Sequence, residues 1–110
     1  MTMHLRWDAG TLHVIGELDL FDAPRLVHEV HPTDVDSDVR LDLSGLEFVD
    51  LGGVRALLEV AAAARSKGFG TRLLNPTRMV SRVLDLVGVE RYDVEVSHPT
   101  PDRTDLGAIA

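Results

Sequence analysis

Runs patterned as strands alternate with runs patterned as helices along nearly the whole chain, and this alternation restricts the fold more than any other feature. "HLRW" and "TLHVIGEL" are short runs around Asp8-Ala9-Gly10, which supplies turn chemistry with Gly10 free to take positive φ. The second strand, Thr11 to Gly16, carries Leu12, Val14 and Ile15 toward a core. "LDLFDAPRLVHEV" reads as a helix, with Asp22 as N-cap, Pro24 in the first turn and Leu26, Val27 and Val30 facing inward. After the polar loop "HPTDVDSD" comes a strand, Val39 to Leu43, with an exit loop. "LGGVRALLEVAAAARSKG" is the longest helix. Val54, Leu57, Leu58 and Ala61 repeat at the 3, 4 spacing of a buried face, between Asp50 as N-cap and Gly68 as C-cap. "TRLLN" is another strand. Asn75-Pro76 then opens a helix with Met79, Val80, Val83, Leu84 and Val87 on one face, ended by Gly88, and "RYDVEV" is a last edge strand.

The order β-β-α-β-α-β-α-β demands a sheet that includes parallel pairs covered by helices. The expected fold is α/β, a mixed sheet of about four to five strands with helices packed on it. A chain of 110 residues is enough for one such domain. Residues 1–96 are read as that domain. Residues 97–110, with two prolines and no periodicity, are read as a tail.

Composition removes several function classes. There is no cysteine, hence no disulfide, thiol nucleophile or thiolate metal site, which fits a reducing compartment. The formal charge is −7 and no basic stripe is interleaved with aromatics, so no nucleic-acid partner is expected. Ten of the eleven bases are arginine, which reads as codon bias rather than phosphate chemistry. The first residues carry no apolar run and no stretch approaches ~20 apolar residues, so neither a signal peptide nor a membrane span is expected and the setting is cytoplasmic.

Candidate chemistry is sparse. His28 and His31 lie three apart, but no third ligand stands at useful spacing, so no metal is expected. Asp34, Asp36 and Asp38 resemble the start of a calcium loop, yet the glycine and glutamate that such a loop needs are missing. Ser44 is not in a nucleophile elbow, Ser81 has no partner in sequence, and Gly68-Phe69-Gly70 lacks the lysine of a phosphate loop. No nucleophile, base and oxyanion donor assemble. The reading is a binding module without cofactor rather than an enzyme.

Three loops fall where strand ends hand over to helix starts: "GELDLFDAP", "LSGLEFVDLGG" and "LNPTR". In open α/β sheets that end is where ligands and partners dock. Asp19, Asp22, Asp50, Asn75 and Thr77 punctuate these loops. Asp22, Asp50, Asn75 and Thr77 also read as helix caps, whereas Asp19 is not needed as one. Gly52 and Gly53 open the long helix at a cost of about 1 kcal/mol each relative to alanine.

Three segments, "GELDLFDAPRL", "VRLDLSGLEFVDLGGVRALLEVAAAARSKG" and "TRLLNPTRMVSRVLDLVGVERY", together resemble STAS domains, the bacterial anti-sigma-factor antagonists. The resemblance spans Met3 to Val96. It implies a mixed sheet with helices on it, and a partner that is an anti-sigma factor and GHKL-type serine kinase. In that family the kinase phosphorylates a Ser or Thr in a D-S-[ST]-G motif at the start of the long helix and so breaks the complex. Related stressosome scaffolds are similar in fold. Carried over, the motif's Asp is Asp50 and its Gly is Gly53. Leu51 and Gly52 lie between, and Gly52 falls where the phosphoacceptor belongs, with no hydroxyl to modify. The acid before the first helix corresponds to Asp19. The expected partner face centres on Asp19, Asp50, Leu51, Gly52 and Gly53 and takes in Asp22, Val54, Arg55, Asn75 and Thr77. The resemblance leaves open an interaction module in another signalling or transport assembly, and backbone N–H groups at Leu51, Gly52 and Gly53 leave open an anion site. A phosphate on Thr77 is weighed against a plain cap. The hairpin and the edge strand leave a homodimer open.

Overall fold

The computed structural model describes residues 2–30 and 35–98. Strands β1 (Met3–Asp8) and β2 (Thr11–Leu18) form an antiparallel hairpin in which Asp8 faces Thr11. Ala9 and Gly10 have φ of 49° and 81°, so both central residues take the positive φ that a type I′ turn requires. Glycine meets that demand freely. Alanine meets it at a cost, which the composition of the turn does not advertise.

The remaining elements are α1 (Ala23–Glu29), β3 (Val39–Asp42), β4 (Leu46–Val49), α2 (Leu51–Ser66), β5 (Thr71–Leu74), α3 (Arg78–Val87), a 3₁₀ turn (Val89–Tyr92) and β6 (Val94–Ser97). The expected order is present with one addition. The segment read as an exit loop contains β4, which makes six strands. Leu46 and Val49 are buried while Glu47 and Phe48 are exposed, so β4 shows no period-2 pattern. Its partner explains it. The first half of β2 pairs parallel with β3, through Leu12 and Leu41, and the second half pairs parallel with β4, through Leu18 and Val49. The turn at Ser44-Gly45 splits what would be one strand into two, and Gly45 still receives the Gly16 N–H at 2.9 Å.

The sheet order is β1-β2-β3-β5-β6 with β4 beside β2; only β1 runs antiparallel. The carboxyl ends of β2, β3, β4 and β5 therefore point the same way and deliver their loops to one end. Ser97 closes β6, one residue beyond the expected domain boundary, and residues 99–110 lie outside the described ones.

The core lies between the sheet and α2. Leu12, Val14, Leu41 and Leu73 meet Leu57, Val60 and Ala64, all fully buried. On α3 the inward residues are Val80 and Leu84. Met79, expected on the same face, stands 40% exposed. Val83 and Val87 pack partly buried against the core as expected, whereas Met79, adjacent to Val80, points about 100° away from it and so off the buried face.

Candidate functional site

The end of the sheet is organised by Asp50. Its backbone is extended, as an N-cap requires, and its Oδ1 accepts the Gly53 N–H at 2.8 Å. Its Oδ2 accepts the Leu20 N–H at 3.3 Å. One carboxylate thus caps α2 and tethers the loop that leaves β2. Asp50 also donates its own N–H to the Leu18 carbonyl at 3.3 Å.

That loop has its own acid. Asp19 Oδ1 accepts from the Phe21 and Asp22 N–H groups, each at 3.0 Å, and the Asp19 carbonyl accepts the Ala23 N–H at 2.9 Å. Asp22 was expected to cap α1. It occupies the N-cap position but makes no side-chain cap, because its backbone is already helical (φ −90°, ψ −12°). Its carboxylate lies 3.7 Å from Arg25, and Asp19 does the local work instead.

The two glycines have different reasons. A Cβ on Gly53 would run into the Leu18 carbonyl oxygen, so α2 starts hard against the end of β2. A Cβ on Gly52 would stand 2.8 Å from the Leu20 Cα and 2.9 Å from its Cβ. The space that a side chain at position 52 would need is filled by the Leu20 loop. Gly52 is half-buried beneath it, not an open surface.

Around this contact the apolar side chains turn outward. Leu20 is 63% exposed, Phe21 88% and Leu51 73%. A groove between α1 and α2 is lined by Leu20, Pro24, Val27, Gly52, Arg55 and Glu59; a second, past Leu51, reaches Leu58 and Val87. Exposed Arg55 borders both. Single exposed apolar residues are ordinary, but three together at a loop and helix start form a patch.

The structure gathers Asp19, Asp50, Leu51, Gly52 and Arg55 at this shoulder, with Asp22 beside them. Two further expected face residues are inside: Gly53 is buried and Val54 is 2% exposed, pointing into the core. Asn75 and Thr77 serve elsewhere. Thr77 caps α3, its Oγ1 accepting the Val80 N–H at 3.3 Å and donating to the Leu46 carbonyl at 3.3 Å. Asn75 is not a cap; it takes φ 54°, and its Nδ2 donates to Asp42 at 3.2 Å.

Asp42 was not foreseen as a hub. Its Oδ1 accepts from Ser44 N–H at 2.9 Å and Ser44 Oγ at 2.6 Å, and His13 Nδ1 lies 3.8 Å away. Burial pushes its carboxyl up, but the Ser44 hydroxyl and N–H, the Asn75 amide and His13 outweigh it and hold the pKa below the ordinary 3.8. The pattern Asp42-x-Ser44, an Asx turn, was the available signal. The cluster joins the carboxyl ends of β3 and β5 to His13 near the start of β2 and ties down Ser44 as a donor to a carboxylate.

Among the described residues no group of three or more His, Asp or Glu is placed to hold a metal. His28 is exposed on α1, Asp36 and Asp38 are exposed, and His31 and Asp34 lie outside the described residues. Among the described residues no helix is long and apolar enough to cross a membrane.

Fold and shoulder define a class: a small mixed α/β domain with an apolar patch at the carboxyl end of its strands. A family model described as "Mlab, STAS domain" matches residues 1–96, and the chain belongs to the STAS domain family. No curated protein sequence matches the chain. Solved structures agree on the fold. A Thermotoga maritima protein proposed to be an anti-sigma factor antagonist superposes with TM-score 0.70 at 18% identity, covering 97% of this chain and 92% of that one. An anti-sigma factor antagonist from Mycobacterium paratuberculosis gives TM-score 0.66 at 26% identity, with 98% and 92% covered. The Bacillus cell fate determinant SpoIIAA in its phosphorylated form gives 0.58 at 17% identity, with 99% and 100% covered.

Proposed function

We propose that this chain is a non-enzymatic regulatory module of the anti-sigma-factor-antagonist type. It binds an anti-sigma factor or GHKL-type kinase-like protein through the Leu20–Phe21–Leu51 shoulder, in the cytoplasm, without a phosphorylation switch at position 52. The observation that carries this reading is the packing of Leu20 onto Gly52. A hydroxyl-bearing side chain has neither the atoms nor the room there, while the surrounding apolar side chains remain in water. In the family's switch, a phosphate adds about −1.5 to −2 charge that a packed partner would have to bury. Here that penalty is never imposed, and binding follows abundance.

A second reading has one observation in its favour. The matching family model is described as Mlab rather than as an antagonist. On this reading the same shoulder docks the chain into a different signalling or transport assembly. The small-anion reading is weakened, because the Gly53 N–H is spent on Asp50 and Leu20 covers Gly52.

The test is a calorimetric titration of the full chain against the GHKL-type protein encoded beside it in its native host, with ATP and with ADP. Binding in at least one nucleotide state is expected. Absence of binding in both sinks the antagonist reading. A transporter or sensor gene in that neighbourhood, with no kinase-like gene, favours the second.

A further inference from the structure

Of the side chains that line the two grooves of the shoulder, Arg55 is the one charged group common to both. Leu51, Arg55 and Glu59 follow one another at one-turn spacing along α2 and are all exposed, so they form a ridge. The groove that holds Pro24 lies on one flank of that ridge and the groove that reaches Leu58 on the other, with Arg55 between them. The acids nearby are tied into the local structure. Asp50 accepts from Gly53 and Leu20, Asp19 Oδ1 from Phe21 and Asp22, and Asp22 lies 3.7 Å from Arg25. Glu59 stands one turn beyond Arg55, but base before acid is the weaker order for a helical pair. Among the described residues Arg55 makes no ion pair. The apolar shoulder thus carries an unpaired guanidinium in its middle.

A protein that covers Leu20 and Leu51 also takes water away from Arg55. A guanidinium buried without a counter-charge is strongly unfavourable, whereas one that is paired and hydrogen-bonded can be held. We infer that the partner places an Asp or Glu carboxylate on Arg55, between apolar side chains that enter the two grooves. The planar fork of the guanidinium takes such a carboxylate through two parallel hydrogen bonds. The contact also fixes register. In a chain of formal net charge −7 an acidic segment is disfavoured over most of the surface, and Glu59 repels it one turn along the ridge. Arg55 is therefore the residue that decides which partners the shoulder accepts. The inference rests on the shoulder being the partner site, as proposed above, and adds the chemistry that the partner must bring to it.

Calorimetric titration of the full chain against the same GHKL-type protein, in the nucleotide state that binds, tests it with Arg55→Met and Arg55→Lys. Arg55 is exposed and unpaired, so circular dichroism should show both variants folded like wild type. Methionine keeps an apolar stem and removes the charge. With a partner carboxylate on Arg55, the Met variant leaves that carboxylate buried and alone, and should bind at least ~10-fold more weakly. Lysine keeps the charge without the fork and should fall between the two. Added salt should weaken wild type more steeply than Arg55→Met. With an apolar partner surface instead, Arg55→Met relieves a buried charge and binds as tightly as wild type or more tightly, which overturns the inference. Leu51→Glu separates the two claims. If it binds weakly while Arg55→Met does not, the shoulder stands and only the carboxylate is lost. A wild-type chain that binds in neither nucleotide state removes both.

Discussion

Leu20 lies over Gly52 so closely that a Cβ added to the glycine would stand 2.8 Å from the Leu20 Cα. Helix propensity and packing then point in opposite directions. Propensity alone makes Gly52→Ala stabilising by about 1 kcal/mol. Forcing a methyl against backbone typically costs about 1–3 kcal/mol. The substitution should therefore leave the protein no more stable, and up to about 2 kcal/mol less stable, in urea unfolding. A gain of a full ~1 kcal/mol would show that the loop is not pressed on the helix. The same contact disqualifies Gly52→Asp as an imitation of phosphate, since it would disturb the loop by bulk as well as charge.

Asp50 joins two elements through one carboxylate. Asp50→Ala removes the α2 cap and the Leu20 tether together, and should cost about 2 kcal/mol, the upper end for a cap. Amide exchange at Leu20 and Gly53 should quicken before exchange in the middle of α2. Unchanged exchange at Leu20 would remove the tether from the account.

The hairpin turn holds a residue with a Cβ where φ is positive. Ala9 at φ 49° carries a strain that glycine or asparagine would relieve. Ala9→Asn should stabilise the domain by about 0.5–1 kcal/mol, read as a higher midpoint in thermal unfolding. A lower midpoint would contradict the turn assignment.

Asp42 should make stability depend on acid. Its folded pKa is depressed, so its contribution is full above the ordinary value of 3.8 and is lost as pH falls below that value through the folded pKa. In Asp42→Asn the unfolding free energy should be lower at neutral pH, and its slope below pH 3.8 shallower than in wild type. Parallel curves for the two proteins would contradict the assignment.

Thr71 opens β5 with its hydroxyl buried and without a hydrogen-bond partner among the described residues. Thr71→Val keeps the shape and removes the polar atom. An unpaired hydroxyl costs about 1–3 kcal/mol when buried, so the variant should be more stable by about 1 kcal/mol or more. Loss of stability would mean that the hydroxyl is paired.

Much of this was legible because the relevant physics is local. The spacing of Val54, Leu57 and Ala61 marks a helix face, Asp50 sits at cap spacing from Gly53, and Asp8-Ala9-Gly10 falls between two alternating runs. The illegible parts depend on contacts between distant segments. β4 exists because β2 offers it an edge, not because its own residues alternate. Gly52 looks like an open helix start until Leu20, thirty-two positions earlier, is placed on it. Val54 reads both as part of the buried helix face and as part of the partner face, and at 2% exposure only the first of these holds. Asn75 reads as a cap until Asp42 claims its amide. The shared direction of the strand ends was readable; which loop residues meet there was not.

The central claim is that the shoulder binds a protein partner with no phosphate switch at position 52. Leu51 is the residue to probe, because it is 73% exposed and its replacement should leave stability within about 0.5 kcal/mol. The measurement is calorimetric titration of the kinase-like partner, held in one fixed nucleotide state, with wild type and with Leu51→Glu, each repurified before and after incubation with partner and ATP. The account predicts that wild type binds with the same affinity in both conditions and that Leu51→Glu binds at least ~10-fold more weakly. Equal binding by Leu51→Glu, or loss of wild-type binding after ATP, would contradict it.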